Sequence, residues 1–287
     1  MINKKDKILE EIPKTLREIQ EKNPLTHCLT NTVTINDCAN AVLAIGGSPA
    51  MADEPKEVKD FVEIADVVVI NIGNTTENQV KAMNIASAHA NETNTPVVID
   101  PVGVGVGELR SKIILDLLEN DVAAIRGNMS EIKAIANLVG VIDNSNMVKG
   151  VDVCLDDIVT KDNLEANGEI IKTLANELNT VILASGEIDI LSDGETTLAI
   201  FNGDEMMPLI TGSGCMLTSI VGTCIGGSDP FMGTLIASLI MTIAGEHARK
   251  KVDELDLGTG SFRAFLIDYL SKANAEDLID NENFVIL

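Results

Sequence analysis

Short runs of apolar and β-branched residues alternate along this chain with longer segments in which apolar residues recur at helical spacing. The short runs predict strands at residues 67–72, 96–100, 122–126, 180–184, 188–191 and 196–201. The longer segments predict helices at residues 35–45, 56–64, 77–90, 109–119, 130–138 and 163–178. Such alternation is typical of parallel strands joined by helices that cover both faces of a sheet. We therefore expect an α/β fold with a mostly parallel central sheet.

The second half of the chain departs from this alternation in two places. Residues 192–195, Ser-Asp-Gly-Glu, separate the last two predicted strands and predict a tight hairpin turn. Two strongly apolar stretches follow, residues 209–227 and 231–245, and both are interrupted by Gly, Ser or Thr. These interruptions favour buried core helices over membrane spans, so we expect no membrane partner.

The domain organisation is predicted to be simple. No linker rich in Pro, Gly or Ser interrupts the 287 residues, and we expect one domain over residues 1–287. After about residue 272 the chain becomes acidic, and it ends in Phe-Val-Ile-Leu. The sequence leaves open whether residues 272–287 form a loose acidic tail or a docked terminal segment.

Composition and charge narrow the classes of partner. With 45% apolar residues but only 2% aromatic ones, the chain can build a large core from aliphatic side chains. Its formal net charge of −23 would repel nucleic acid and anionic membranes, so we expect neither as a partner. A bound nucleotide would be repelled as well, so its phosphates would need backbone amides, Mg²⁺ or individual cations nearby.

Cysteine usage and the first residues bear on the compartment. The five cysteines form no CxxC pair, and their odd number and wide spacing argue against a disulfide framework or a zinc site. The chain begins with a charged, helix-like stretch that has no apolar signal core. Together these features predict a reducing, cytoplasmic location.

Polar residues of distinctive type fall at the ends of the predicted strands. Asp100 ends one strand, and Ser185 follows another. Arg126-Gly127-Asn128 lies at the end of a third. In open parallel sheets, ligands bind beyond the carboxyl ends of the strands. We therefore expect the functional site at this edge of the sheet.

A glycine-rich turn, Thr211-Gly212-Ser213-Gly214-Cys215, precedes an apolar helix-like run. Such a turn directs several N–H groups of a helix N-terminus at one point, which suits a phosphate that is being transferred. A plain loop with close helix–sheet packing is the alternative. Cys215 would lie in the first helical turn, where the helix dipole lowers the pKa of a thiol. It could be a base, a nucleophile or a small buried apolar side chain.

Two acids and one arginine are candidates for metal and phosphate contacts. Mg²⁺ binds oxygen and needs only one or two carboxylates, so Asp100 and Glu131 could hold it directly or through water. Helix capping is the alternative for Glu131, which lies at the start of a predicted helix. Arg126 could contact phosphates with its planar cation, or it could pair with a surface acid.

Asn31 and Met51 lie just outside the predicted elements, where ligand contacts concentrate. Asn31 could hydrogen-bond to a ring nitrogen or a hydroxyl, and Met51 could lie against a flat ring. Turn chemistry for Asn31 and core filling for Met51 are the alternatives. Between them, Thr34 and Asp37 have the spacing of a capping box, and Gly46-Gly47 ends the helix as a C-cap would.

Nine stretches, taken together, resemble the hydroxyethylthiazole kinase family of the ribokinase-like superfamily. They occur in the family's order and cover about residues 25–270. They are Thr30-Asn31 with Asn36 and residues 38–40; residues 47–51; residues 69–73; residues 100–103; residues 126–128 with 130–131; residues 149–152; Gly186-Glu187 with Asp189; residues 211–218; and Gly258 with residues 260–262.

The resemblance implies a ribokinase-like fold and the transfer of phosphate from ATP, with Mg²⁺, to the primary alcohol of 4-methyl-5-(2-hydroxyethyl)thiazole. It also implies a homotrimer in which neighbouring subunits share the thiazole site. The implied site residues are Arg126, Ser185 and Asn128 for ATP; Asn31, Met51 and Gly212 for the thiazole; Asp100 and Glu131 for the metal; and Cys215, Gly212, Ser213 and Gly214 for catalysis.

Cys215 bears most on the mechanism that the resemblance implies. Ribokinase-like sugar kinases have an Asp at this point as the base, so a Cys either serves weakly or leaves room for the alcohol. Ser185 stands where Thr is common and keeps the hydroxyl. Thr32 and Asp37 stand where aromatic or otherwise larger residues are more common, near the implied thiazole pocket, so they bear on which alcohol is accepted.

Three other functions are alternatives to this one. A related kinase for a hydroxymethylpyrimidine or a sugar is disfavoured by Cys215 in place of Asp. A non-catalytic thiazole- or nucleotide-binding protein would bind ligand without turnover. A nicotinamide-dependent oxidoreductase is disfavoured because the run 103–107, Gly-Val-Gly-Val-Gly, has Glu108 where the dinucleotide fingerprint needs its third glycine.

Overall fold

One sheet runs through the computed structural model, which describes residues 3–142 and 158–287. Its nine strands are β1 Leu25–Leu29, β2 Ser48–Ala50, β3 Val67–Asn71, β4 Val97–Asp100, β5 Ala124–Asn128, β6 Val181–Ser185, β7 Asp189–Ser192, β8 Thr197–Ile200 and β9 Phe284–Ile286. The described helices are α1 Lys4–Lys22, α2 Ile35–Ala44, α3 Val58–Ile64, α4 Glu77–Thr93, α5 Glu108–Leu117, α6 Met129–Leu138, α7 Leu164–Leu178, α8 Ser213–Gly227, α9 Pro230–Glu254, α10 Thr259–Leu270 and α11 Ala275–Asn281.

The strand order is β2-β1-β3-β4-β5-β6-β7-β8-β9. Pairing is parallel from β2 through β6, and the pairs β6–β7, β7–β8 and β8–β9 are antiparallel. The predicted mostly parallel sheet is therefore confirmed. Because parallel strands run in one direction, the carboxyl ends of β1 to β6 meet at a single edge.

Helices cover both faces of this sheet. On one face, α1, α2, α8, α9 and α10 pack against strand side chains such as Cys28 and Val69. On the other face, α3 to α7 pack against Leu29 and Ile70, which are the next residues of the same strands. The side chains alternate between the two cores because successive residues of a strand point to opposite faces.

The six predicted strands are all present, with small shifts at their ends. β7 and β8 form the predicted hairpin, in which Ser192 pairs with Thr197. Sequence reasoning missed β1 because Thr26 and His27 interrupt its apolar pattern, although both side chains are buried. It missed β2 and β9 because each has only three residues.

The two apolar stretches near residues 209–245 are core helices, as predicted. α9 has 25 residues and is apolar enough to cross a membrane by length and composition. However, 83% of its most apolar window is buried inside the fold. α8 lies beside it, with nearly every residue after Cys215 buried.

The last residues of the chain form a docked segment and not a loose acidic tail, which decides between the two alternatives for residues 272–287. β9 pairs antiparallel with β8, and Phe284 is only 1% exposed. Lys5 of α1 donates to the Phe284 carbonyl and forms an ion pair with Glu282. Hydrogen bonds from Asn202 to the Asn281 carbonyl, and from the Asn283 amide to Asn202, fix the chain that leads into β9.

Replacing Phe284 by alanine should therefore lower the free energy of unfolding by about 3–5 kcal/mol, the usual cost of a buried Phe→Ala change. Val285→Ala is the matched control, because its side chain is 42% exposed on the same strand. Urea denaturation of both variants measures the effect. A loss below about 1 kcal/mol for Phe284→Ala would show that the terminus is not part of the folded core.

The structure confirms the predicted end of α2 and contradicts the predicted cap at its start. Gly46 follows α2 with φ +90°, and its amide bonds to Leu43, so the predicted glycine C-cap is confirmed. The predicted Thr34–Asp37 capping box is wrong. The Thr34 hydroxyl donates to Asn31 Oδ1, and the Asp37 carboxylate pairs with Arg263 of α10. A long-range ion pair thus replaces the local cap.

Candidate active site

The carboxyl edge of the sheet brings together polar side chains at the ends of five strands. Asn71 ends β3 and pairs in register with Asp100, the last residue of β4. Asn128 ends β5 and pairs with Ser185, the last residue of β6. Asn31 follows β1 at the same edge, and its side chain contacts that of Asn71. The predicted position of the site, beyond the strand ends, matches this cluster.

A hydrogen-bonded network joins these strand ends to α8. Asn71 Nδ2 donates to Asp100 Oδ2 at 2.8 Å and to the Cys215 sulfur at 3.2 Å. Asn31 Nδ2 donates to Asn71 Oδ1 at 3.2 Å and to the same sulfur at 3.4 Å. Thr218 Oγ1, one helical turn beyond Cys215, donates to Asp100 Oδ2 at 2.8 Å. The start of α8 is thereby held against β3 and β4.

Asp100 is fully buried, yet one of its oxygens has no partner. Burial raises the pKa of its carboxyl to about 6, although the Arg126 charge lowers it. Oδ2 accepts the two bonds from Asn71 and Thr218, whereas Oδ1 has no hydrogen-bond partner among residues 3–142 and 158–287. A buried carboxylate oxygen left in this way fits a cation such as Mg²⁺.

The glycine-rich turn directs backbone amides at the same place. Gly212 has φ +87°, a left-handed conformation, and α8 begins at Ser213 without a side-chain cap. The first intrahelical bond runs from the Met216 amide to the Gly212 carbonyl. The amides of residues 213–215 bond to no acceptor in the described parts of the chain. Residues 212–215 are only half-buried, so these donors can reach an anion.

Arg126 places a permanent positive charge beside these amides. Its Nη2 donates to Ser185 Oγ at 2.5 Å, and its Nη1 lies 4.0 Å from Asp100 Oδ2. A β-carbon on Gly214 would overlap Nη1, so the guanidinium lies directly against the turn. The side chain is only 13% exposed, and Nε has no partner among the described residues. The surface-acid pairing considered for Arg126 is not what the structure shows.

Cys215 differs from the sequence-based expectation. Burial, together with the nearby Asp100 charge, raises the pKa of this thiol to about 11, whereas the helix dipole was expected to lower it. Removal from water therefore outweighs the dipole at this position. The side chain is a neutral thiol at pH 7, and it accepts hydrogen bonds from Asn31 and Asn71.

Asn128 and Glu131 form a reciprocal capping box at the start of α6. Glu131 Oε2 accepts from the Asn128 amide, and Asn128 Oδ1 accepts from the Glu131 amide, both at 2.8 Å. Glu131 Oε1 accepts from the Gly103 amide, also at 2.8 Å. The capping alternative for Glu131 is thus present in the structure. Direct contacts of Glu131 with metal and of Asn128 with ATP stay predictions.

Met51 and Asn31 also show the structural roles that were weighed for them. Asn31 Oδ1 accepts from the amides of Val33 and Thr34, which is turn chemistry. Met51 lies just after β2, half-buried against the core on the α8 side of the sheet. Both follow strands at the carboxyl edge, but within the described residues Met51 forms no hydrogen bond to the Asp100 network.

Comparison with known proteins assigns the chain to a family. A sequence model of the hydroxyethylthiazole kinase family matches residues 16–276. A hydroxyethylthiazole kinase from Methanobrevibacter smithii is 62% identical over 284 residues, and the alignment covers 99% of both chains. The chain belongs to the hydroxyethylthiazole kinase family.

Solved structures agree with membership of the hydroxyethylthiazole kinase family. The hydroxyethylthiazole kinase protein from Pyrococcus horikoshii OT3 superposes with a TM-score of 0.84 at 31% identity, covering 97% of this chain and 99% of that one. A ribokinase-like superfamily protein from Enterococcus faecalis superposes with a TM-score of 0.56 at 12% identity, covering 91% of this chain and 89% of that one. The second match concerns the fold alone and confirms the ribokinase-like architecture.

The structure of this hydroxyethylthiazole kinase family member adds residues to the site that were not singled out from the sequence. Asn71 and Thr218 lay within matching stretches, but only the structure shows that both bond to Asp100. Asp189 is buried between the Gly186 amide and the Ser238 hydroxyl, and burial raises its pKa to about 6. The signal for Asn71 is an amide within an otherwise apolar strand, directly after the run Val67–Ile70. The matching stretch 149–152 lies outside the described residues.

Proposed function

We propose that this protein transfers the γ-phosphate of ATP to the primary alcohol of 4-methyl-5-(2-hydroxyethyl)thiazole in thiamine biosynthesis or salvage. The observation that carries the proposal is the set of three amides at the start of α8 that have no acceptor among the described residues and lie beside Arg126, whose Nη1 is 4.0 Å from Asp100 Oδ2. Phosphoryl transfer proceeds through a loose transition state and depends mostly on positioning and charge stabilisation. Backbone donors with an adjacent arginine supply both.

The residues divide into groups around the transferred phosphate. Arg126 and Ser185, already hydrogen-bonded to each other, would contact ATP together with Asn128. Asn31, Met51 and Gly212 would lie near the thiazole. The amides of Ser213, Gly214 and Cys215 would bind the phosphate oxygens as negative charge shifts during transfer. Donors fixed by a helix need no rearrangement at that moment.

Asp100 is the residue that would hold Mg²⁺ directly, because its Oδ1 is the unpartnered oxygen. Glu131 bonds to two backbone amides and would act on the ion through water or by fixing the loop after Asp100. When bound, the ion would neutralise phosphate charge in a protein of net charge −23. Among the described residues no three acids, histidines or cysteines cluster, which suits an ion that retains most of its waters.

Cys215→Ala should change kcat by less than about tenfold, because a neutral thiol cannot accept the alcohol proton and the side chain mainly leaves room for the substrate. Removing a true general base costs about 10²–10⁴-fold. Steady-state kinetics with ADP release as the readout measure the change. With a thiol pKa of about 11, a thiolate base would make the rate rise steeply between about pH 7 and 9, so we expect a rate without that rise if Cys215 is not the base.

Cys224→Ala is the control for Cys215→Ala, because it removes a fully buried thiol from the same helix. Both variants should bind substrate and turn over at comparable rates. A loss of 10²-fold or more in Cys215→Ala alone, with substrate binding intact, would assign Cys215 the role of base.

Two exposed apolar side chains support a homotrimer whose subunits share the thiazole site. Val33 is 64% exposed and directly precedes Thr34, which touches Gly212. Leu209 is 65% exposed and lies just before the glycine-rich turn. Contiguous exposed apolar patches are typical of protein interfaces, so these two side chains are candidates for the subunit contact. The free cysteines Cys28, Cys38, Cys215 and Cys224 support a cytoplasmic location.

The direct test is to mix the protein with Mg²⁺, ATP and the thiazole alcohol and to detect the phosphate ester by mass spectrometry. A panel with hydroxymethylpyrimidine and sugar alcohols, under the same conditions, tests the related kinases. Formation of the thiazole phosphate above all others supports the proposal. Binding of the thiazole without any phosphate ester would favour the non-catalytic alternative, and preference for another alcohol would replace the substrate.

A further inference from the structure

Arg110, in the first turn of α5, donates to three backbone carbonyls. Its Nη1 donates to the carbonyls of Ile72 at 2.6 Å and Val102 at 2.5 Å, and its Nη2 donates to the carbonyl of Gly73 at 2.7 Å. The chain has 44 acidic residues against 21 lysines and arginines. Even so, no described acid lies within ion-pair distance of Arg110. The guanidinium therefore fixes backbone carbonyls and does not form an ion pair with a described acidic side chain.

The three carbonyls belong to the two loops that carry the polar network. Ile72 and Gly73 follow Asn71 at the end of β3, and Val102 follows Asp100 at the end of β4. The Gly73 amide donates to Asn71 Oδ1 at 2.9 Å, so the first loop also fixes the Asn71 side chain. Arg110 thus connects the segments on which the 2.8 Å bond from Asn71 to Asp100 depends.

Gly103, the first glycine of the run 103–107 that fails as a dinucleotide fingerprint, lies at this contact. Gly103 has φ +72°, and a β-carbon there would lie 3.4 Å from Arg110 Cζ. The loop turns back over the guanidinium and then starts α5 at Glu108. Glycine adopts this left-handed conformation without strain, which lets the loop after Asp100 turn toward Arg110.

We propose that Arg110 is a positioning residue for phosphoryl transfer, which sets the separation of the β3 and β4 loops and thereby the placement of Asn71 and Asp100 beneath the glycine-rich turn. The inference rests on the proposed function. A planar fork with several fixed donors can hold carbonyls from two loops at once, whereas a lysine ammonium on a flexible stem cannot fix the same geometry. Small misplacement of catalytic groups can cost about 10²-fold in rate.

Arg110→Lys and Arg110→Ala test this proposal. We expect kcat to fall about 10- to 100-fold in both, with KM for the alcohol within about threefold of the wild type, because the loops position reacting groups more than they bind the ring. Guanidinium at millimolar concentration should restore part of kcat in Arg110→Ala and none in Arg110→Lys. Arg249→Lys and Arg249→Ala are the matched controls, since Arg249 pairs with Asp253 on α9.

A second measurement does not depend on turnover. The amides of Gly73 and Gly103 are hydrogen-bonded to Asn71 Oδ1 and Glu131 Oε1. In Arg110→Ala, hydrogen exchange should accelerate at these loops and stay unchanged in β6 and β7. Uniformly faster exchange without guanidinium rescue would show a general structural role and overturn the proposal. Unchanged kcat in both Arg110 variants would also overturn it.

The two proposals can fail separately. If the wild type forms no thiazole phosphate, the proposed function fails, and the exchange comparison still tests the clamp. If the wild type is active and the Arg110 variants match it, only the clamp fails.

Discussion

Gly212→Ala should lower kcat by about 10²–10³-fold, the cost found when one donor of a preorganised anion hole is lost. Gly212 has φ +87°, and an added β-carbon would lie 2.7 Å from Thr34 Cγ2. Thr34 cannot move aside freely, because its amide and hydroxyl both bond to Asn31. The turn itself must shift, and the amides of residues 213–215 would shift with it.

Gly46→Ala separates this effect from backbone strain. Gly46 has φ +90°, but a β-carbon there would meet nothing within 4 Å. Each variant should lose about 1–2 kcal/mol of folding free energy from the left-handed conformation. Only Gly212→Ala should lose turnover. Thermal unfolding and steady-state kinetics on both proteins make the comparison, and equal kcat values would remove the glycine-rich turn from the mechanism.

Asp100→Asn should lower kcat by at least about 10²-fold and raise the Mg²⁺ concentration needed for half-maximal rate. A metal held at transferring phosphate contributes several kcal/mol of charge stabilisation, and each 1.4 kcal/mol or so is tenfold in rate. The amide keeps the size of the carboxyl and an oxygen to accept from Asn71 or Thr218. It loses the charge and the free carboxylate oxygen Oδ1.

The pH dependence has a definite sign for this residue. Burial raises the pKa of Asp100 to about 6 in the folded protein, so the carboxylate is present above that pH and is lost as the pH falls through it. Protons compete with Mg²⁺ for this carboxylate, so the Mg²⁺ concentration that the wild type needs for half-maximal rate should rise as the pH falls below about 6, and that of Asp100→Asn should not. Burial makes the ionised carboxylate unfavourable in the folded protein. At about pH 7.5 the unfolding temperature of Asp100→Asn should therefore be equal to or higher than that of the wild type.

Asp189→Asn is the control for Asp100→Asn. Burial raises the pKa of this carboxyl to about 6 as well, and Arg126 acts on it electrostatically. Both of its oxygens have hydrogen-bond partners, Gly186 and Ser238, so it offers no free oxygen to a metal. The Mg²⁺ requirement should shift for Asp100→Asn and stay nearly constant for Asp189→Asn. The same shift in both would mean that buried charge, and not a metal contact, governs the requirement.

The sequence predicted well those elements whose burial can be seen in their own pattern of apolar residues. The buried strands β3 to β6 and the helices α8 and α9 follow directly from apolar periodicity. β1 was missed because burial of Thr26 and His27 depends on their partners Thr223 and Ala52, which are distant in sequence. Packing between elements, and not local preference, decides such strands.

The position of the candidate site could be predicted from the sequence, but only part of its chemistry could. Strand-end residues and the glycine-rich turn indicated where a ligand would bind, because the topology brings those ends together. The unpartnered oxygen of Asp100, the clamp made by Arg110 and the raised pKa of Cys215 depend on burial and on contacts across the chain. Helix-dipole reasoning for Cys215 failed because desolvation is the larger effect in this site.

A crystal structure of the protein with Mg²⁺, a non-hydrolysable ATP analogue and the thiazole alcohol would be the most direct measurement. We predict that the γ-phosphate oxygens accept hydrogen bonds from the amides of residues 213–215, that Arg126 contacts the phosphates, and that the metal lies next to Asp100 Oδ1. Nucleotide bound elsewhere, with those amides facing protein and Asp100 away from any metal, would contradict the proposed site.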